Sequence, residues 1–329
     1  MKFKNLIEVS NYFADSKKAT EYLVRLRWSG NVVCIHCTHD KVYELKGANP
    51  RFKCAKCRKQ FSAIKGTIFE NSPISLQKWF TAVYLITSHK KGISSHQLAK
   101  DLSISQKSGW FVLQRIRFAL QSGSFNHSPD GIIQADETFV GGDYKNKHHK
   151  KVEKKSTWGN KNTTPKGRSV QTKTAVAGIL ETGGQVKASV VPDTKKATLQ
   201  GFIRANVKEG ATIVTDEWAS YTALRNGFNH KIVNHTQGQY VVNGFHTNGI
   251  ENFWSHFKRS VYGIYHHVSP KHLDKYIDES EFRYNTRKMG EVDRFDKMLT
   301  LSSKRLTYAQ LISNGEKNEP TDTPDWTKL

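Results

Sequence analysis

All four cysteines of the chain stand in two Cys-x-x-Cys pairs, Cys34-Ile35-His36-Cys37 and Cys54-Ala55-Lys56-Cys57, with sixteen residues between them. Each pair offers two thiolates from one tight turn, and a hairpin of that length brings the turns face to face, as a tetrahedral zinc ion requires. Four ligands on one ion fix where two turns and the strands between them lie, so this pattern constrains the fold more than any other local one. Two disulfides would satisfy the same cysteines. The N-terminus MKFKNLIEVSNYFADSKK, however, has no apolar run followed by a small-residue cleavage site, so a cytoplasmic chain with reduced thiols is expected. His36 and His39 lie near enough to compete as ligands, but with four thiolates present they are expected to be bystanders. A closed four-thiolate site leaves no position for a substrate, so one structural Zn²⁺ is expected within a zinc ribbon spanning 31–66.

The 329 residues carry 51 Lys and Arg against 29 Asp and Glu, a formal net charge of +22. A field of that sign attracts polyanions, which points to nucleic acid. No stretch approaches the roughly 18 apolar residues of a membrane helix, so no membrane partner is expected.

Residues 1–30 read as a helical lead-in, with Ala19, Tyr22, Leu23 and Leu26 at helical spacing and Ser16 as the cap. Beyond the ribbon, 67–125 reads as a helical domain. A buried helix covers 76–88, a short helix 94–102, then a turn at Ser103-Ile104-Ser105 and a helix over 106–121. A short helix, a three-residue turn and a helix with a polar N-terminal end is helix-turn-helix grammar. Gln106, Lys107 and Ser108, with Arg115 further along, are the candidate DNA contacts; an ordinary three-helix packing unit fits the same pattern. Arg51, Lys53, Lys56, Arg58 and Lys59 give the ribbon a basic face, suited to phosphates or simply to solvent.

The span 126–290 changes character. Apolar runs at 131–138, 172–180, 185–191, 211–215 and 231–234 read as strands, with helices over 194–207 and 217–225. The resulting order, β-β-β-α-β-α-β-α, is that of the ribonuclease-H-like α/β fold with a mixed five-stranded sheet. There, adjacent first and fourth strands carry Asp136 and Asp216 into one cleft. Helical spacing over HTNGIENFWSHFK, residues 246–258, puts Glu251 and Lys258 on one face, over the same point. Converging carboxylates repel unless cations neutralise them, and their hard oxygens suit two Mg²⁺ (or Mn²⁺) ions. Each signal alone has a bland reading: Asp136 as a strand-end turn residue, Asp216 as a helix cap, and Glu251 and Lys258 as the solvated edge of an amphipathic helix. His246, Asn248 and Arg259 are further candidate DNA contacts. Between 141 and 173 lies an insertion with ten Lys or Arg against two acidic residues. It is expected to be a flexible basic arm, with Lys147, Lys150, Lys151, Lys154 and Lys155 for phosphates and Trp158 for stacking.

Taken together, WSGNVVCIHC, RFKCAKCRKQFSAIKGTIFENS, KKGISSHQLAKDLSISQKSGW, DETFVGG, TDEWASY, HTNGIENFWSHFKRSVYGIYHHVSPKHL and EFRYNTRK resemble bacterial insertion-sequence transposases with an N-terminal zinc ribbon, a helix-turn-helix and a DDE catalytic domain. The resemblance covers nearly the whole chain. It implies that Asp136, Asp216 and Glu251 are the catalytic carboxylates and Lys258 the accompanying lysine. It also implies that double-stranded DNA, as element ends and target, is the partner, bound by a homo-oligomer in the nucleoid. The implied activity is recognition of terminal inverted repeats, metal-dependent cleavage and strand transfer. A binding-only regulator and a nuclease or resolvase without strand transfer are the alternatives. In one departure, the first knuckle carries Ile35 and Thr38 where such knuckles commonly hold proline and glycine. Residues 291–329 read as a partly disordered C-terminal extension.

Overall fold

The computed structural model describes residues 3–45, 47, 50–121, 128–141, 173–217, 219–234, 241 and 244–313. The chain divides into two compact units, Met1–Ser124 with Thr286–Leu329, and Phe125–Asn285.

The first unit opens with α1 (Leu6–Tyr12) and α2 (Ser16–Trp28). Asp15, and not Ser16, caps α2: its carboxylate accepts the Lys17 N–H at 2.8 Å. Strands β1 (Val42–Leu45), β2 (Arg51–Cys54) and β3 (Gln60–Ser62) form the antiparallel ribbon. Phe52 and Phe61 of the ribbon pack on Trp28, and Arg27 donates to the Ala63 and Lys65 carbonyls at 2.7 Å. A ribbon this small buries too little apolar surface to stand alone, and here it rests on α2.

Three helices follow, α3 (Leu76–Ser88), α4 (Ser95–Leu102) and α5 (Gln106–Leu120). Ser94 and Ser105 cap α4 and α5 by accepting the N–H groups of Gln97 and Ser108, and Ser103 turns the chain in the left-handed region at φ 49°. At Gly109 a Cβ would stand 2.9 Å from the Ser95 carbonyl, so glycine permits the close α4–α5 crossing that makes the helix-turn-helix.

The second unit is a five-stranded mixed sheet of ribonuclease-H-like type. Its strands are β4 (Ile132–Val140), β5 (Thr174–Glu181), β6 (Val186–Val191), β7 (Thr212–Thr215) and β8 (Asn229–Ile232), in the order β6-β5-β4-β7-β8. The first three form an antiparallel meander, and β7 and β8 add in parallel. Between β6 and β7 runs α6 (Lys196–Asn206), and Ala219–Arg225 is a 3₁₀ turn in place of the expected α-helix. Helix α7 (Asn248–Ser260) continues into a π-turn at Val261–Tyr265 and is followed by α8 (Leu273–Asn285). Residues alternate along β4. Ile133, Ala135 and Phe139 join the core with α6 and Tyr221, while Val140 joins the core of Ile250, Trp254 and Phe257 on α7. Along edge strand β6, N–H groups of Val186, Ala188 and Val190 are taken by Asn285, Glu281 and Asp274 of α8, which stops the edge from pairing further.

The C-terminal segment belongs to the first unit. In α9 (Glu291–Thr300), Phe295 enters an aromatic cluster with Phe3, Phe13 and Phe80 at ring separations of 5.4, 5.9 and 5.8 Å. A short α10 (Tyr308–Ile312) follows. Arg115, expected to face DNA, is instead 5% exposed, and its guanidinium donates to the carbonyls of Ile68, Glu70 and Leu306 at 2.8, 3.1 and 3.0 Å. It lies on the stripe of α5 that the returning C-terminal segment covers, so burial overrides the expectation. The expected basic arm, with Lys147, Lys150, Lys151, Lys154, Lys155 and Trp158, lies outside the described residues.

Candidate active site and zinc centre

Parallel pairing of β4 with β7 sets Gln134 beside Val214, and two residues further along stand Asp136, inside β4, and Asp216, just past the end of β7. Continued register therefore places the two aspartates side by side, with strands about 4.8 Å apart. Helix α7 is brought over them by close packing. Gln134, 1% exposed, accepts the Ile250 N–H at 3.0 Å, and Gly249 leaves room, since a Cβ there would lie 2.7 Å from Gln134 Oε1. One turn on, Glu251 looks into the same space. The hydroxyl of Thr247, at the N-cap of α7, makes no cap bond and instead donates to Glu251 Oε1 at 2.6 Å.

Asp136, Asp216, Glu251 and Lys258 line one cavity of about 640 Å³, together with Glu137, Thr138, Lys173, Thr247, Trp254 and Ser255. Burial, then the carboxylates of Glu137 and Asp216, push the Asp136 carboxyl up to about 7. An acid so buried and crowded gives up its proton more readily when positive charge arrives. On the opposite face of β4, Glu137 accepts the Tyr221 hydroxyl at 2.8 Å, and burial with that carboxylate raises the tyrosine's pKa well above its usual value.

Carboxylate oxygens gathered in one cavity are the hard donor set a divalent cation fits, and Asp136, Asp216 and Glu251 would hold it. Among the described residues, the four cysteines are the one His/Cys/Asp/Glu group whose ligand atoms all fall within 4.8 Å of one another.

Zinc fits the cysteines closely. Sγ of Cys34 and Cys57, and Sγ of Cys37 and Cys54, are 3.6 Å apart, and all four thiols are free of disulfides. A tetrahedron with Zn–S bonds of about 2.3 Å has edges of about 3.8 Å. The His36 and Cys57 N–H groups point at Cys34 and Cys54 Sγ, each at 3.4 Å. Thr38 and Arg58, the residues that close the two knuckles, take φ of 56° and 57°. Such a backbone explains why glycine is common there, and β-branched Thr38 adopts it at a cost. Neither His36 nor His39 is in the cluster.

The other sequence candidates scatter. Gln106 and Lys107 are exposed at the start of α5 and Ser108 is half-buried. The basic residues Arg51, Lys53, Lys56, Arg58 and Lys59 are all exposed on the ribbon. His246, Asn248 and Arg259 are not among the residues lining the carboxylate cavity. Sequence reasoning missed Gln134, Glu137, Lys173, Thr247 and Tyr221. Strand alternation from Asp136 signals that Gln134 shares its face; the Glu137–Tyr221 bond spans 84 residues and leaves no local trace.

Comparison with known proteins places these features in a family. Residues 130–285 match the ISXO2-like transposase domain and residues 14–60 the transposase zinc-ribbon domain, together more than half of the chain. A protein of the Halobacterium salinarum transposable element ISH50 is 27% identical over 288 residues, 85% of this chain and 94% of its own length. A transposase-like protein of Haemophilus influenzae is 35% identical over 102 residues, 31% of this chain and 81% of its own. Among solved structures, a pre-cleavage Mos1 transpososome aligns over 69% of this chain and 80% of its own, at 12% identity and a TM-score of 0.27. The chain belongs to the insertion-sequence DDE transposases that combine a transposase zinc ribbon with an ISXO2-like transposase domain.

Proposed function

We propose that this transposase binds the terminal inverted repeats of its element through the first unit and cleaves and joins DNA strands at the carboxylate cavity of the second. The observation that carries the reading is the shared cavity of Asp136, Asp216, Glu251 and Lys258, built from two neighbouring strands and one helix face. Two divalent cations, Mg²⁺ or Mn²⁺, held by the three carboxylates would supply Lewis-acid stabilisation of the attacking and leaving oxygens of a phosphodiester displacement. The chain's own groups do the rest. Lys258 and Lys173 attract the phosphate into an otherwise acidic cavity. Thr247 orients Glu251, and Gln134 ties the start of α7 to β4, so the helix cannot drift from the two aspartates. Water is the nucleophile in cleavage and a DNA 3′-hydroxyl in joining. Bringing two element ends to one target calls for at least two copies, hence a homo-oligomer on DNA.

Support for the DNA partner comes from the net charge of +22 and the exposed Gln106 and Lys107 at the start of α5. Among the described residues, no helix is long and apolar enough to cross a membrane. The test is cleavage of DNA carrying the element's ends by Asp136→Asn, Asp216→Asn and Glu251→Gln. Each is expected to lose cleavage by at least about 100-fold while binding the same DNA within about twofold of the parent. Retained cleavage in any of the three, or loss of binding in all of them, overturns the assignment.

A further inference from the structure

One stripe of α5 carries Lys107, Phe111 and Arg115 at successive helical turns, and one short piece of the C-terminal segment meets all three. The Arg115 guanidinium donates to the Leu306 carbonyl at 3.0 Å. The Phe111 ring meets the Tyr308 ring edge-on at 5.5 Å, and Lys107 Nζ stands 5.1 Å from the centre of the same Tyr308 ring. Residues 306–308 are fixed in place: Leu306 is 5% exposed, and Thr307 and Gln310 form a reciprocal capping box at the start of α10. Tyr308 itself is 38% exposed, at the same end of α5 as the exposed Gln106 and Lys107. Beside them, Lys78 of α3 reaches the Ser103 carbonyl in the turn between α4 and α5 at 3.4 Å.

We propose that the DNA-reading surface of the first unit is composite, and that Tyr308, which follows the catalytic unit in sequence, is part of it. The inference rests on the DNA-binding reading above. A lysine at an exposed helix start samples many rotamers, and ordering it on a phosphate costs entropy. Resting on the electron-rich face of Tyr308, the Lys107 ammonium is already held in one place, so less is lost on contact. The same ring carries the Tyr308 hydroxyl, a donor of the kind that contacts phosphate oxygens. Tyr308 is thus a positioning residue for Lys107 and a DNA contact in its own right. Double-stranded DNA is the partner this surface fits, because it offers a cation and a hydroxyl side by side against a regular row of phosphates.

The test measures binding of the full-length protein to a duplex enriched by it from a random-sequence library, across a salt series. Lys107→Ala is expected to weaken binding about 10-fold and to lower the salt slope by about one. Tyr308→Leu, which keeps apolar contact with Phe111 but removes the ring and hydroxyl, is expected to weaken it about 5-fold or more. The double variant should lose less than the product of the two, because they act through one contact. Tyr308→Phe, which keeps the ring, should fall between parent and Tyr308→Leu. Unchanged or tighter binding by Tyr308→Leu, with Lys107→Ala still weakened, overturns the composite surface and leaves the helix-turn-helix reading standing. Unchanged binding by Lys107→Ala and Gln106→Ala together overturns both.

Discussion

Gly178 is the cross-strand partner of Asp136 in the β4–β5 pair, and the indole of Trp254 lies directly over it. A Cβ at that position would stand 2.5 Å from Trp254 Cζ2, 2.8 Å from Cη2 and 3.3 Å from Ile250 Cδ1. Carbon atoms pack at about 3.5 to 4.0 Å. Gly178→Ala therefore requires α7 to retreat by about 1 Å or the indole to turn aside. Turning is closed off, because Trp254 is 4% exposed and its ring sits 5.0 Å from Phe253 and 6.4 Å from Phe257. The retreat moves Glu251 and Lys258 away from the aspartates. Overpacking of this kind costs about 1 to 3 kcal/mol of stability. A shift of about 1 Å at a catalytic group costs about 100-fold in rate. The assay pairs thermal melting with DNA cleavage under single-turnover conditions. Gly178→Ala is expected to stay folded and bind DNA like the parent while cleaving about 100-fold more slowly. Trp254→Phe in the same chain removes the colliding atoms and should recover part of the lost rate. Parent-like cleavage and melting by Gly178→Ala would refute the claim that α7 is seated on this glycine.

Arg115→Met removes a donor shared by three backbone carbonyls and should cost about 2 to 4 kcal/mol in a melt, while folded protein binds DNA within about twofold of the parent. Zinc analysis should find one ion per chain, lost on chelation together with the ribbon's fold, and Thr38→Gly, which relieves a φ of 56°, should raise the stability of the zinc-loaded ribbon by up to about 1 kcal/mol. In protein stripped of divalent cations, the Asp136 carboxyl binds its proton more tightly folded than unfolded. The stability it adds is full below about pH 4 and is lost as pH rises through about 7. The loss is at most about 4 kcal/mol for a shift of about three units. The melting temperature of the parent relative to Asp136→Asn should therefore fall across that window, and a gap that is constant with pH would contradict the burial of this carboxyl among other acids.

What is legible in the sequence is what local chemistry dictates. Two Cys-x-x-Cys turns name their own geometry, and the antiparallel meander follows from apolar runs interrupted by Gly183-Gly184. Asp216 is readable as an acid at a strand end because β7 is a short apolar run that stops at Thr215, whereas Asp136, expected at such an end, stands inside β4, which runs on to Val140. Contacts made at long range leave no such trace. Arg115 on a helix-turn-helix reads as a DNA contact because nothing nearby in sequence announces Leu306, 191 residues away, as its partner. Residues 291–313 look like a spare extension because the aromatic partners of Phe295, from Phe3 to Phe80, lie at the other end of the chain. Thr247 goes unmarked in the sequence, and only the fold shows its hydroxyl given to Glu251.

The proposed function has the cavity of Asp136, Asp216 and Glu251 join DNA strands as well as cut them. The direct measurement incubates full-length protein with DNA bearing the element's end and a target plasmid, with Mg²⁺ or Mn²⁺, and sequences the products. Covalent junctions between the element's 3′ end and the target are expected, absent with chelator and absent with Glu251→Gln. Nicked or hydrolysed ends without junctions, or junctions that persist with Glu251→Gln, would contradict it.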